Sequence, residues 1–133
     1  DRLPMSLSAR WDAEDVLKLV FPPSVQRAQF DLSVKLVAFL KDKEAVNGVE
    51  LAAWMAANNV PNSTLRNLVI PKMIRVGLLA RERRNPSGQD ARDKRHQMVL
   101  KLSARFGEAF KHVGSEWSAL VETWRIKRKA NFV

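Results

Sequence analysis

Residues 63–84 read STLRNLVIPKMIRVGLLARERR, and a change of period inside this stretch decides the fold. Up to Val76 the apolar residues Leu65, Leu68, Val69, Met73 and Val76 recur at helical spacing. Gly77 stops the helix as a C-cap glycine, and Leu78 to Arg84 suits a strand. Just upstream, Asn58-Asn59-Val60-Pro61 breaks the chain, and Asn62 or Ser63 can cap the helix that follows. Before the break, Val49 to Asn58 forms a short alanine-rich helix with Leu51, Trp54 and Met55 inward. Just downstream, Asn85-Pro86-Ser87-Gly88 is a turn cluster, and Arg95 to Leu102 is the returning strand. His96, Met98, Leu100 and Leu102 share one of its faces, and Gln97, Val99 and Lys101 the other. The polar connection between the strands is long for a hairpin.

Further out, Phe21-Pro22-Pro23 separates two helices. The first lies within residues 1–23 and carries Trp11, Val16, Leu19 and Val20. The second starts after Ser24 as N-cap and presents Val25, Ala28, Leu32, Leu36 and Phe39 or Leu40; Asn47-Gly48 then supplies a turn. At the other end Phe106, Phe110, Val113, Trp117, Leu120 and Trp124 are spaced 4, 3, 4, 3 and 4 residues apart, a heptad-like seam on one long helix. Gly107 and Gly114 interrupt it, each a weak helix former, and leave room for a bend near Gly114-Ser115. Such a seam either folds back on Val25–Leu40 or pairs between chains; its apolar area favours pairing. Arg125 to Lys129 closes the helix with a basic tail.

Two short helices joined by a sharp turn and followed by a hairpin define a winged helix-turn-helix. The expected fold is mostly α with a small two- to three-stranded β wing, extended by helices at both ends. Residues 1–23 form an N-terminal arm, 24–102 the winged helix-turn-helix, and 103–133 the long dimerisation helix and tail. In this arrangement the helix over 63–76 enters the major groove of duplex DNA while that over 49–58 braces it.

Composition agrees. The 133 residues carry 23 Lys+Arg against 14 Asp+Glu, a formal charge of +9, which attracts polyanions. With 46% hydrophobic and 28% charged residues the chain is an ordinary globular one. The charge concentrates in the hairpin, where Arg81, Arg83, Arg84, Arg92, Lys94 and Arg95 outnumber Glu82, Asp90 and Asp93. Arginine's planar fork matches phosphate. On the reading helix the apolar stripe leaves Ser63, Thr64, Arg66 and Asn67 outward, with Asn62 beside them. Arg suits guanine and Asn suits adenine in the major groove, and the hydroxyls suit phosphate oxygens.

The stretch STLRNLVIPKMIRVGLLARERR, with DKRHQMVLKLS at 93–103, resembles the MarR-type and related archaeal winged-helix regulators over roughly residues 30–105. The resemblance rests on a recognition helix ending in a Gly-Leu pair, an Arg-rich wing, and a strand leading into a long helix. It implies double-stranded DNA binding by a homodimer joined through its first and last helices. By position, Ser63, Thr64, Arg66 and Asn67 match the recognition-helix contacts, and Arg83, Arg84, Arg92 and Lys94 match the wing; Asn62, Arg81 and Arg95 complete the candidate DNA-binding set by their place beside these residues. Pro71 departs from the pattern. It forces a kink or restart, which confines base reading to the first two turns and leaves Lys72 and Arg75 as backbone contacts.

Other chemistries have little to stand on. The chain has no cysteine, which excludes disulfides, thiol nucleophiles and Cys-based zinc sites. Its two histidines, His96 and His112, lie in no catalytic or metal motif. Glu108, His112 and Glu116 line up along the last helix but read as a solvated, mutually paired face. No cofactor, metal or enzymatic activity is expected. The longest apolar run, Leu51 to Ala57, is too short for a membrane span. The chain opens on Asp1, read as a trimmed form, without a signal-peptide pattern, and a cytoplasmic location is expected. The competing reading is a winged-helix interaction module of chromatin or replication machinery that does not read sequence.

Overall fold

The computed structural model describes residues 3–84 and 97–131. Asp12 begins α1 (Ala13–Val20) with a reciprocal cap: its carboxylate accepts the Asp15 N–H, and the Asp15 carboxylate accepts its own. Leu17 and Val20 are the inward residues of α1; Trp11 precedes it and Leu19 is exposed. Pro23 opens α2 (Pro23–Leu40), where a proline costs no helical hydrogen bond. Pro22, not Ser24, takes the cap position, and the backbone leaves helical values at Gln26. Beyond that kink Phe30, Leu32, Leu36 and Leu40 point inward, together with Ser33, whose buried hydroxyl donates to the Phe30 carbonyl at 2.7 Å. Val25 and Ala28, expected inward, are exposed.

Asn47-Gly48 is more than a turn. Val46 and Asn47 form the short strand β1 (Val46–Asn47), and Asn47 caps α3 (Gly48–Ala57) in a second reciprocal pair with Glu50. Leu51 and Met55 of α3 are buried, and Trp54 stacks on Phe39 of α2 at 4.8 Å between ring centroids. Asn59 turns the chain at φ 51°, a left-handed value asparagine tolerates. The third helical segment then comes in three pieces: α4 (Asn62–Thr64), a wider π turn (Leu65–Val69) and α5 (Ile70–Val76).

The hairpin consists of β2 (Leu79–Arg84) and β3 (Gln97–Leu102), and β1 pairs with the far edge of β3. The sheet is antiparallel in the order β1-β3-β2, with Leu79 opposite Leu102, Arg81 opposite Leu100 and Arg83 opposite Met98. Phe21, Leu36, Leu40, Leu65, Val69, Ile70, Met73 and Leu79 form the center of one core between helices and sheet. The chain is therefore mostly helical with a small antiparallel sheet, in winged helix-turn-helix order and with helices at both ends.

The last element, α6 (Arg105–Ala130), leaves this body. Its start is pinned where the Phe106 N–H meets the Gly77 carbonyl at 3.0 Å and the Ser103 N–H meets Leu78 at 2.9 Å. Phe106 packs partly on the core, but no residue of α6 is buried, so the seam does not fold back on α2. Nor does the helix break at Gly114; it runs through all 26 residues. Among the described residues no helix is long and apolar enough to cross a membrane.

Candidate nucleic-acid interface

Pro71 shapes the helix over 62–76. It has no N–H to donate, and in a regular α-helix its ring meets the carbonyl four residues back. The π turn accommodates this: the Ile70 N–H reaches back five residues to Leu65, and Pro71 takes an early position in α5, where no donor is needed. Inserting one wide turn rotates the face that follows. Ile70 becomes buried in the core and Leu68, expected inside, stands 50% exposed. The restart expected at Pro71 therefore begins one turn earlier, and its consequence for Leu68 and Ile70 is a correction to the helical stripe.

The outward side of the segment carries Asn62, Ser63, Arg66, Asn67 and Leu68, all exposed, with Thr64 half-buried. Neither Asn62 nor Ser63 caps the helix, because Pro61 holds the cap position. Asn62 instead accepts a hydrogen bond from the Arg66 Nε at 2.7 Å. That bond, between residues one helical turn apart, holds the guanidinium along the helix rather than leaving it to swing. Asparagine and arginine four residues apart were a readable signal for this pairing.

Lys72 points elsewhere. Its ammonium donates to the Val20 carbonyl and to Gln26 Oε1, and lies 4.9 Å from the Phe21 ring centroid. It holds the end of α1 against α5 and is turned from the outward face, so its assignment as a phosphate contact is corrected. Arg75 is exposed on α5.

The arginines of β2 divide by side. Arg81 and Arg83 share a face with Leu100 and Met98, are exposed, and make no ion pair or side-chain hydrogen bond among the described residues. Arg84, on the opposite face, pairs with Glu82 at 3.3 Å and Glu44 at 3.4 Å. Glu82 also accepts from Lys101 at 2.9 Å, and this hydrogen bond holds its carboxyl below the usual carboxylate range. Arg84 thus belongs to a charge network bracing the hairpin, and of the three arginines of β2 it is Arg81 and Arg83 that present unengaged guanidinium groups. Arg92, Lys94, Arg95 and His96 lie outside the described residues.

Arg66 and Arg81 meet across a cleft of about 240 Å³ between helix and sheet, floored by Val46, Leu51, Ile70, Met98 and Leu100. The outward helix face and the Arg81/Arg83 strand face thus join into one surface. The sequence missed this convergence, since it depends on the pairing register of β2 and β3. Among the described residues no group of three or more His, Asp or Glu side chains is placed to hold a metal ion.

The class defined by this geometry is the winged helix-turn-helix architecture. No family model matches the chain, and no curated protein or solved structure matches it.

Proposed function

We propose that the protein binds double-stranded DNA sequence-specifically as a homodimer and regulates transcription, in the manner of the MarR-type regulators its sequence resembles. The reading segment 62–76 enters the major groove and Arg81 and Arg83 meet the flanking phosphates. One observation carries this. A helix whose inner side is core presents Asn62, Ser63, Arg66 and Asn67 outward, and the adjoining strand adds two exposed arginines without acidic partners among the described residues. Arg66 is the candidate guanine reader and Asn67 the adenine reader. Leu68, exposed beside them, suits a thymine methyl. An interaction module has no need of unpaired arginine on the wing face.

Titration of the full chain against duplex DNA, single-stranded DNA and RNA at two salt concentrations tests the proposal. Duplex is expected to bind most tightly, with affinity falling steeply as salt rises. Equal binding to all three, or none at low salt, would contradict it. On a selected site Arg66→Ala is expected to cost about 1–3 kcal/mol, with little change on random duplex. Equal weakening on every sequence would remove Arg66 from base reading.

A further inference from the structure

The longest helix has the least covering. Along α6, Phe110, Val113, Trp117, Leu120 and Trp124 are each roughly half exposed. They lie on one face: the Trp117 and Trp124 rings meet edge to face at 5.8 Å, and Phe106 and Phe110 lie 4.5 Å apart. With an aromatic side chain offering 150–250 Å², the exposed seam comes to roughly 550 Å² per chain. Two such seams together approach the lower limit of about 1,200 Å² for stable interfaces before flanking residues are added.

We propose that this seam is covered by α6 of a second copy running antiparallel, with the two helices in register about Ser115. The proposal rests on the homodimeric reading above and adds the orientation and its consequence. Four observations support it.

Side-chain size is the first. Antiparallel pairing about Ser115 sets Val113 against Trp117 of the second copy and Phe110 against its Leu120, so through the middle of the seam large side chains meet smaller ones, with Phe106 opposite Trp124 at its ends. A parallel pair stacks Trp117 on Trp117, Trp124 on Trp124 and Phe110 on Phe110, leaving Val113 and Leu120 to make thin layers between. Gly114 is the second. A side chain there would meet nothing within 4 Å, so the chain's own fold does not require glycine at this poor helix-forming position. In the antiparallel pair Gly114 lies one residue from the Ser115 crossing point and about 3 Å along the rod from its own copy, where a bare backbone lets the helices approach closely.

Charge is the third. Lys127, Arg128 and Lys129 have no acidic partner among the described residues, whereas Arg125 pairs with Glu122. Parallel helices hold both clusters side by side, at a separation comparable with the screening length of about 8–10 Å. At 1.5 Å per residue, the antiparallel pair separates Lys127 from its copy by about 36 Å. The fourth is spacing. The same rise puts the two Arg105 anchors about 30 Å apart along the rod, near the 34–36 Å between half-sites on one duplex turn. Parallel helices put both winged units at one end.

Because the chain has no cysteine, Ser115→Cys and Lys129→Cys, both at exposed positions, each accept a single nitroxide label. Pulsed electron-spin distances on the full chain, without nucleic acid, are expected to be short for Ser115→Cys, below about 25 Å, and about 40 Å for Lys129→Cys. Similar short distances at both positions mean parallel pairing and overturn the proposal. An absent distance with a sedimentation mass of one chain, 15.1 kDa, overturns it as well. Since DNA is absent, either failure leaves the duplex-binding reading to its own titration. Trp117→Glu is expected to reduce the sedimenting species to one chain while keeping the helical circular-dichroism signal; an unchanged mass would contradict the seam as the interface.

Discussion

Gly77 joins α5 to everything that follows it. Its φ of +89° lies in the left-handed region, and a Cβ there would sit 2.8 Å from the Phe106 nitrogen and 2.9 Å from the Arg105 Cβ. Backbone strain of this kind costs about 1–3 kcal/mol in a non-glycine residue, and the contact with α6 adds to it. Gly77→Ala is therefore expected to lower the urea midpoint by an amount worth about 2 kcal/mol or more; an unchanged midpoint would mean α6 is not anchored there. Lys72 gives a second case at this scale. Lys72→Met is expected to lower stability, because the Val20 carbonyl loses its donor, while leaving the salt dependence of duplex binding unchanged. A flattened salt dependence would return Lys72 to the interface. Gly77 was readable from sequence as a helix stop, whereas Lys72 was not readable as a structural residue, since its partners Val20 and Gln26 lie 52 and 46 positions away.

The elements differ in how fully sequence revealed them. The hairpin showed itself through its change of period: its first strand begins at Leu79 rather than Leu78 and ends at Arg84 as expected, and its second ends at Leu102 as expected and runs from Gln97 within the described residues. The reading helix was legible as a helix but not as one with a π turn, because periodicity assumes a constant twist. One proline changed the twist, exchanging Leu68 for Ile70 on the buried face. α2 shows the same lesson, since its stripe begins only beyond the kink at Gln26. The caps Asn47–Glu50 and Asp12–Asp15 are both readable at three-residue spacing, although asparagine followed by glycine at 47–48 equally signals a turn. On the hairpin, Lys101 and Arg84 lower the Glu82 carboxyl, so the network stabilises the fold above the ordinary carboxylate range. That contribution is lost as pH falls through the lowered value. Glu82→Gln is expected to make the melting temperature fall less between pH 6 and about pH 3 than in the unaltered chain; an identical acid profile would show that the network carries no stability.

At the scale of the whole molecule, a compact winged body carries a long helix that has no partner within its own chain. The sequence indicated that the apolar seam needed covering, and the exposed length of α6 shows that its own domain does not provide it. The helix passes Gly114 without a bend because an isolated glycine weakens a helix without redirecting it when nothing pushes from the side. The positive charge of +9 became informative only once the ion pairs were known. Arg84 and Lys101 are engaged with Glu82, which leaves Arg81 and Arg83 as the arginines of β2 without an ion pair among the described residues. The claim that this face meets duplex phosphates is tested most directly by the slope of log affinity against log salt, measured for the full chain and for Arg81→Ala/Arg83→Ala. Each phosphate contact contributes about 0.9 to that slope, so the double variant is expected to flatten it by nearly two, with Arg84→Ala changing it far less. An identical slope for the chain and its Arg81→Ala/Arg83→Ala variant would contradict the proposed interface.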